Sequence, residues 1–186
     1  MHNVFSSRAK DRLKAGELYG RVVAAARQPA FYAAMGVPDT PEGRFEMVSL
    51  MLFLGLDRLQ TAGEGSEKLQ QLTIEHFVTD MDDCLREMGV GDLTVPKKVR
   101  RAAGAFYERS GAYRDGLNDP APAALREALS RYAYAGRGNE ADINQLTGYV
   151  RLVRGALTAI SDVAAGNGEL IFPVAALENG GSHGRA

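Results

Sequence analysis

Three histidines (His2, His76 and His183), one cysteine (Cys84) and the carboxylates between Glu75 and Glu87 are the side chains here suited to proton transfer, nucleophilic attack or metal ligation. His76 and Asp80 stand at i, i+4, which brings two ligands to one helix face, with Glu75 and Asp83 close by. A di-metal helical bundle needs a Glu-x-x-His pair from each of two helices. No second stretch supplies one, so no metal is expected, and His76 reads as a flanking residue beside Phe77. Cys84 lies two turns beyond His76 but about 80° around the helix, which separates the two as a catalytic dyad. It falls on an apolar stripe, where a thiol acts as a small buried hydrophobe rather than a nucleophile. Neither a Gly-x-Ser-x-Gly elbow nor a Walker A loop occurs, and the glycines of 61–66 follow no strand. Neither enzymatic activity nor a cofactor is expected.

Charge is more informative. The 186 residues include 22 basic and 23 acidic side chains, a net charge of -1. That argues against bulk attraction to DNA or an acidic membrane. The total hides blocks of opposite sign. Residues 64–92 hold eight acidic and two basic side chains, a balance of -6. Residues 97–114 hold six basic and one acidic, a balance of +5, and the first 32 hold six basic and two acidic, a balance of +4. On a helix over 67–88, Asp80, Asp83 and Glu87 follow one flank of the apolar stripe, while Asp82 and Arg86 point away. On a helix over 94–116, Lys98 and Arg109 follow a flank and Lys97 and Arg101 point outward. Tyr107 leaves the stripe as a surface aromatic of the kind that anchors interfaces.

Two uses of these flanks stay open. Lys98 and Arg109 could pair with Asp80 and Glu87 inside the molecule, each exposed pair contributing about 0.2–1 kcal/mol. Alternatively, Asp80, Asp82, Asp83, Arg86, Lys97, Lys98, Arg101, Tyr107 and Arg109 form a partner-binding surface. Asp80 lies close enough to the stripe to need a buried partner. Basic residues interleaved with aromatics over 97–114 also suit an RNA- or ribosome-associated module, although Phe106 and Tyr113 belong to the core stripe.

Helices must position all of these groups, since 3.6-residue periodicity dominates and bounded alternating runs are absent. At 45% hydrophobic and 24% charged, the chain is an ordinary globular composition of one-domain length. One cysteine forbids an internal disulfide and fits a reducing compartment. The longest uncharged apolar run, Met47 to Leu56, falls short of the ~18–20 residues of a membrane span and reads as a core helix. A first helix over Ala9–Arg27 ends at Pro29. Thr40, Pro41 and Glu42 supply a cap, a first-turn proline and a dipole-complementing carboxylate for a helix reaching Gln60. That helix is apolar nearly all round and belongs at the centre of a bundle.

The stripe of the next helix is Leu69, Thr73, Phe77, Met81, Cys84 and Met88, stopping at Gly89 and Gly91. Val99, Ala103, Phe106, Ser110, Tyr113 and Leu117 follow on another. A helix over 119–134 ends at Gly136 and Gly138. Asn139 and Asp142 then cap a last one bearing Ile143, Leu146, Val150, Val153, Leu157 and Ile160. The expected fold is all-α, a single compact domain of about six helices with a central hydrophobic helix. It occupies 10–165, with a flexible basic tail at 1–9 and a mostly flexible tail at 166–186, where Leu170 to Val174 docks as a short extended piece. The start, MHNVFSSRAK, carries no apolar signal core, and neither a targeting extension nor a membrane anchor is expected.

Several segments taken together carry a resemblance. They are Tyr19-Gly20, Phe31-Tyr32, the run Gly36 to Glu46 (GVPDTPEGRFE), Glu75 to Leu85 (EHFVTDMDDCL), Gly91 to Lys98 (GDLTVPKK) and Phe106-Tyr107-Glu108-Arg109. Over Leu13 to Ile160 the chain resembles the ubiquinol–cytochrome c chaperone family in its α-proteobacterial form. The resemblance implies an all-α, non-enzymatic assembly chaperone for cytochrome b of respiratory complex III, with newly synthesised cytochrome b polypeptide as its client. Mitochondrial relatives act with a small partner protein and associate with the ribosome and the cytochrome b message. The resemblance thus implies a cytoplasmic protein with ribosome and peripheral inner-membrane association as further expectations. It is densest from Glu75 to Tyr113, which puts the client on the two helices there.

Overall fold

The computed structural model describes residues 3–63, 65–87, 89–91 and 93–176, with side chains from residue 8 onward. The helix starts and stops of the sequence set its element boundaries. They are α1 (Asn3–Ala26), α2 (Pro29–Ala33), α3 (Pro41–Thr61), α4 (Glu67–Glu87), α5 (Val95–Asn118), α6 (Ala123–Tyr132), α7 (Glu140–Thr158) and α8 (Asp162–Gly166). Thr40 caps α3 by accepting from the Gly43 N–H at 3.1 Å, and Asn139 caps α7 by accepting from Asp142 N–H at 2.8 Å. Gly89 and Gly136 close α4 and α6 at φ 76° and 74°, where glycine carries no Cβ penalty. Among the described residues, six helices of ten or more residues match the expected number. The five-residue α2 and α8 are additions. Pro29, which stops α1, is also the first residue of α2, and α2 buries Phe31.

α3 is the centre. It touches α1, α4, α5, α7 and α8, and Met47, Leu50, Met51, Leu52, Phe53 and Leu54 are each 2% exposed or less. Consecutive residues can all be buried only if the helix is covered on every side. α1 and α4 run parallel, with Asp11 paired to Lys68 at one end and Tyr19 beside Phe77 further along. α4 and α5 form an antiparallel hairpin in which Phe77 and Phe106 pack 5.4 Å apart. α5 turns into α6 where Gly116 meets the Leu125 backbone, and a Cβ there would lie 2.6 Å from Leu125 Cα. No described helix is long and apolar enough to cross a membrane.

Both ends depart from expectation. α1 begins at Asn3, inside the expected tail at 1–9. Once α1 is nucleated by its packed half, adding a turn of helix-tolerant residues costs little. At the other end, 167–176 forms a docked strap that contains the extended piece expected over Leu170 to Val174 and reaches beyond it on both sides. Leu170 and Ala175 are buried, and Leu170 and Phe172 fill the space that Gly55 of α3 leaves open. Arg21 donates to Gly168 O at 2.6 Å, and Tyr149 donates to Pro173 O at 2.8 Å. The Gln28 amide donates to Pro173 O at 3.3 Å and accepts from the Ala175 N–H at 2.5 Å. The strap therefore belongs to the domain; residues 177–186 of the expected tail lie outside the described residues.

Candidate partner-binding surface

The α4–α5 hairpin carries every residue of the expected surface, and packing divides them into two groups. Asp80 and Arg109 face inward. Asp80, part-buried, accepts a hydrogen bond from Tyr19 OH at 2.7 Å, which ties α4 to α1. Burial, and then the Asp80 carboxylate, push the Tyr19 phenol far above its usual range, so it donates at any physiological pH. Arg109 forms a bidentate pair with Glu46 of α3, Nε to Oε2 at 2.7 Å and Nη2 to Oε1 at 2.6 Å. The two side chains are only 18% and 10% exposed, and the guanidinium lies 5.0 Å from the Tyr132 ring centroid. Burial holds the Glu46 carboxyl above the usual carboxylate range, with Arg109 pulling the other way.

The internal pairing considered for Lys98 and Arg109 with Asp80 and Glu87 is therefore not formed. Arg109 reaches across to α3, Asp80 goes to α1, and Lys98 joins no ion pair among the described residues. Glu46 is the residue that sequence reasoning missed. A carboxylate directly abutting the apolar run Met47–Leu56 was the signal that it needed a partner, but its arginine lies 63 positions away.

The second group lies at the surface, with Asp82 half-buried. Asp82 and Arg86 pair at 2.6 Å along the outer face of α4. Asp83, Lys97, Lys98 and Arg101 are exposed and make no ion pair among the described residues. Tyr107 is 62% exposed and rests edge-on against Phe106, their ring centroids 5.7 Å apart. Beside it, Ile74 and Val78 of α4 floor a groove between the two helices.

Of the remaining candidates for chemistry, His2 and His183 lie outside the described residues. The His76 ring stacks on Tyr19 at 6.3 Å and flanks Phe77 at the α1–α4 seam. Cys84 is exposed, contrary to the expected buried position. The apolar stripe of α4 outruns its cover, and no described residue of the helix beyond Met81 is buried. Partial burial, and then Asp80 and Glu87, push its thiol pKa up, so it is a poor source of thiolate at neutral pH. Among the described residues no group of three or more His, Cys, Asp or Glu side chains is placed to hold a metal ion.

The layered helices around a buried α3 define a single-domain all-α bundle. The match to the family model for ubiquinol–cytochrome C chaperones runs over residues 33–172, and the chain belongs to that family. Among solved structures it is similar to the crystal structure of the Cbp3 homolog from Brucella abortus, at 37% identity over 91% of this chain and 94% of that one, with a TM-score of 0.82. No curated protein matches it. The family match includes Leu170 to Phe172, so the strap's inward-facing residues lie within the matched region.

Proposed function

We propose that this chain is a non-enzymatic assembly chaperone that binds newly made cytochrome b during biogenesis of the ubiquinol–cytochrome c reductase complex, respiratory complex III. The family match over residues 33–172 carries this reading. A holding chaperone needs surface rather than a reacting group. In this reading Asp82, Asp83, Arg86, Lys97, Lys98, Arg101 and Tyr107 form the client face, and Asp80 and Arg109 brace the hairpin behind it. The charges set approach and orientation, and Tyr107 sets the lifetime of the complex. The protein works in the cytoplasm, beside the ribosome and peripherally at the inner membrane, where this client is made. Deleting it lowers assembled complex III while leaving the cytochrome b transcript unchanged. Normal complex III in a clean deletion overturns the reading.

One observation favours a second reading. Lys97, Lys98, Arg100 and Arg101 are exposed at the start of α5 without ion pairs among the described residues, as an RNA- or ribosome-binding element requires. RNA binding that falls steeply with salt and is lost in Arg101→Glu supports it. Absence of such binding removes it.

A further inference from the structure

We propose that the groove between α4 and α5 holds a basic amphipathic peptide segment, with its aliphatic side chains in the groove and its Lys or Arg side chains along the rim. The inference rests on the client-binding reading and names the kind of client segment the chain grips.

Three features point to it. The floor is apolar and incompletely covered. Ile74 and Val78, at i, i+4 on α4, are only partly buried, and Tyr107 faces them from α5 with 62% of its surface open. An open phenol ring beside two aliphatic side chains gains by being covered.

The α5 wall is low on both sides of that ring. Gly104 and Gly111 stand one turn before and one turn after Tyr107, within about 60° of it around the helix. Nothing lies within 4 Å of a Cβ built on either. Glycine weakens a helix interior relative to alanine. Here neither a left-handed backbone nor a neighbour within the chain requires it. The two glycines leave room for a second segment to approach α5 closely around Tyr107.

The rim selects the sign of charge. Glu67 and Glu75 line the groove together with uncharged Gln70, Gln71 and Thr79, and no cation lines it. Glu75 is hydrogen-bonded by the Gln71 amide at 3.1 Å and Glu67 by the Gly65 N–H at 2.9 Å, and neither joins an ion pair among the described residues, although Glu75 also borders a cavity on the α1 side lined by Arg8, Arg12 and Lys68. Lys68, the nearest cation in sequence, pairs with Asp11 on the α1 side. Such a rim attracts ammonium and guanidinium groups and repels phosphates, which makes a peptide the fitting occupant and RNA the unfitting one.

The test uses the full chain and two labelled synthetic peptides of the same amphipathic pattern, one of Leu and Lys and one of Leu and Glu, titrated by fluorescence anisotropy. The Leu/Lys peptide should bind and weaken with added salt, and the Leu/Glu peptide should not bind. Tyr107→Ala and Glu75→Lys should each weaken Leu/Lys binding about tenfold. Gly104→Leu, which fills the open wall and favours the helix, should do the same without lowering the melting temperature. Arg137→Glu, exposed on the loop after α6 and away from both the groove and the client face, should not weaken it.

Equal binding of both peptides, binding of neither, or binding indifferent to Gly104→Leu and Tyr107→Ala overturns the proposal. So does an RNA homopolymer that binds the chain and is displaced by Tyr107→Ala. The functional reading fails separately. Groove-dependent peptide binding beside normal complex III in a deletion strain leaves the groove standing and removes cytochrome b as its client. Complex III loss with no groove-dependent peptide binding does the reverse.

Discussion

Replacing Arg109 with methionine isolates what the Glu46 pair contributes. Methionine keeps much of the apolar stem but removes the two N–H donors at 2.7 and 2.6 Å and the cation over Tyr132. Glu46 is left as a lone carboxylate with 10% of its side chain exposed. Removing one partner of a buried pair costs about 3–5 kcal/mol. Arg109 is itself 18% exposed, so water reaches the vacated side, and a loss of about 3 kcal/mol is expected. That is a large share of the roughly 5–15 kcal/mol that holds a domain folded.

The loss has a pH signature. Burial already raises the Glu46 pKa above its unfolded value, with Arg109 opposing. Between those two values the folded state keeps a proton that the unfolded chain releases. Stability from this group is therefore full below the unfolded pKa and is lost as pH rises through the folded one. Without Arg109 the folded pKa climbs further. The deficit of Arg109→Met should then be small in acid, where Glu46 is protonated in both states, and grow toward neutrality. The chain has no tryptophan, so urea unfolding is followed by far-UV circular dichroism at about pH 4 and about pH 7. The double variant Glu46→Leu/Arg109→Met should recover most of the loss, because an apolar pair leaves no orphaned charge. A neutral-pH deficit below about 1 kcal/mol, the range of exposed pairs, or one that does not change with pH, refutes the reasoning.

Leu52→Ala, at a fully buried site in α3, should cost about 2–5 kcal/mol and move the urea midpoint without changing its slope. Gly116→Ala places a methyl 2.6 Å from Leu125 Cα, where only backbone could yield, so it should lower the melting temperature. Gly104→Ala, in open space, should raise stability by up to about 1 kcal/mol. Tyr149→Phe removes the 2.8 Å bond to Pro173 O; it should cost about 1 kcal/mol and speed amide exchange at Ala175 while leaving α5 protected.

What could be read in advance followed from local rules. Thr40, Pro41, Asn139, Gly89 and Gly136 mark helix ends through interactions within a turn, and all of them do so in the structure. The fully apolar helix around Leu52 announced its own central position. The outcomes that differed depend on register between distant elements. Cys84 continues the stripe of α4 faultlessly, and only the length of the helices packed against it decides that it ends in solvent. Arg109 lies on the expected flank, but the rotation of α5 against α3 gives it to Glu46 rather than to α4. Docking of Leu170 to Val174 was expected, but the anchors that extend the strap from Gly168 to Ala175 were not legible, because side chains of Arg21, Gln28 and Tyr149 recognise its backbone groups, which leave no pattern in the sequence. The exposed part of the α4–α5 hairpin, including the outward Tyr107, was placed correctly by helical phase alone.

The strap also imposes an order of events on synthesis. Lys14 waits for Asn167, made 153 positions later, and both Arg21 and Gln28 wait 147 positions for Gly168 and Ala175. A polypeptide emerges N-terminus first, so α1 is among the first elements to leave the ribosome and among the last to be fully held. Until the strap is translated, the space above Gly55 stands open to water. Closing so distant a contact is the slow, entropically costly part of folding. Completion of this fold therefore waits for the strap to be made, and a chain halted shortly before Leu170 lacks its final fastening however well its helices have formed.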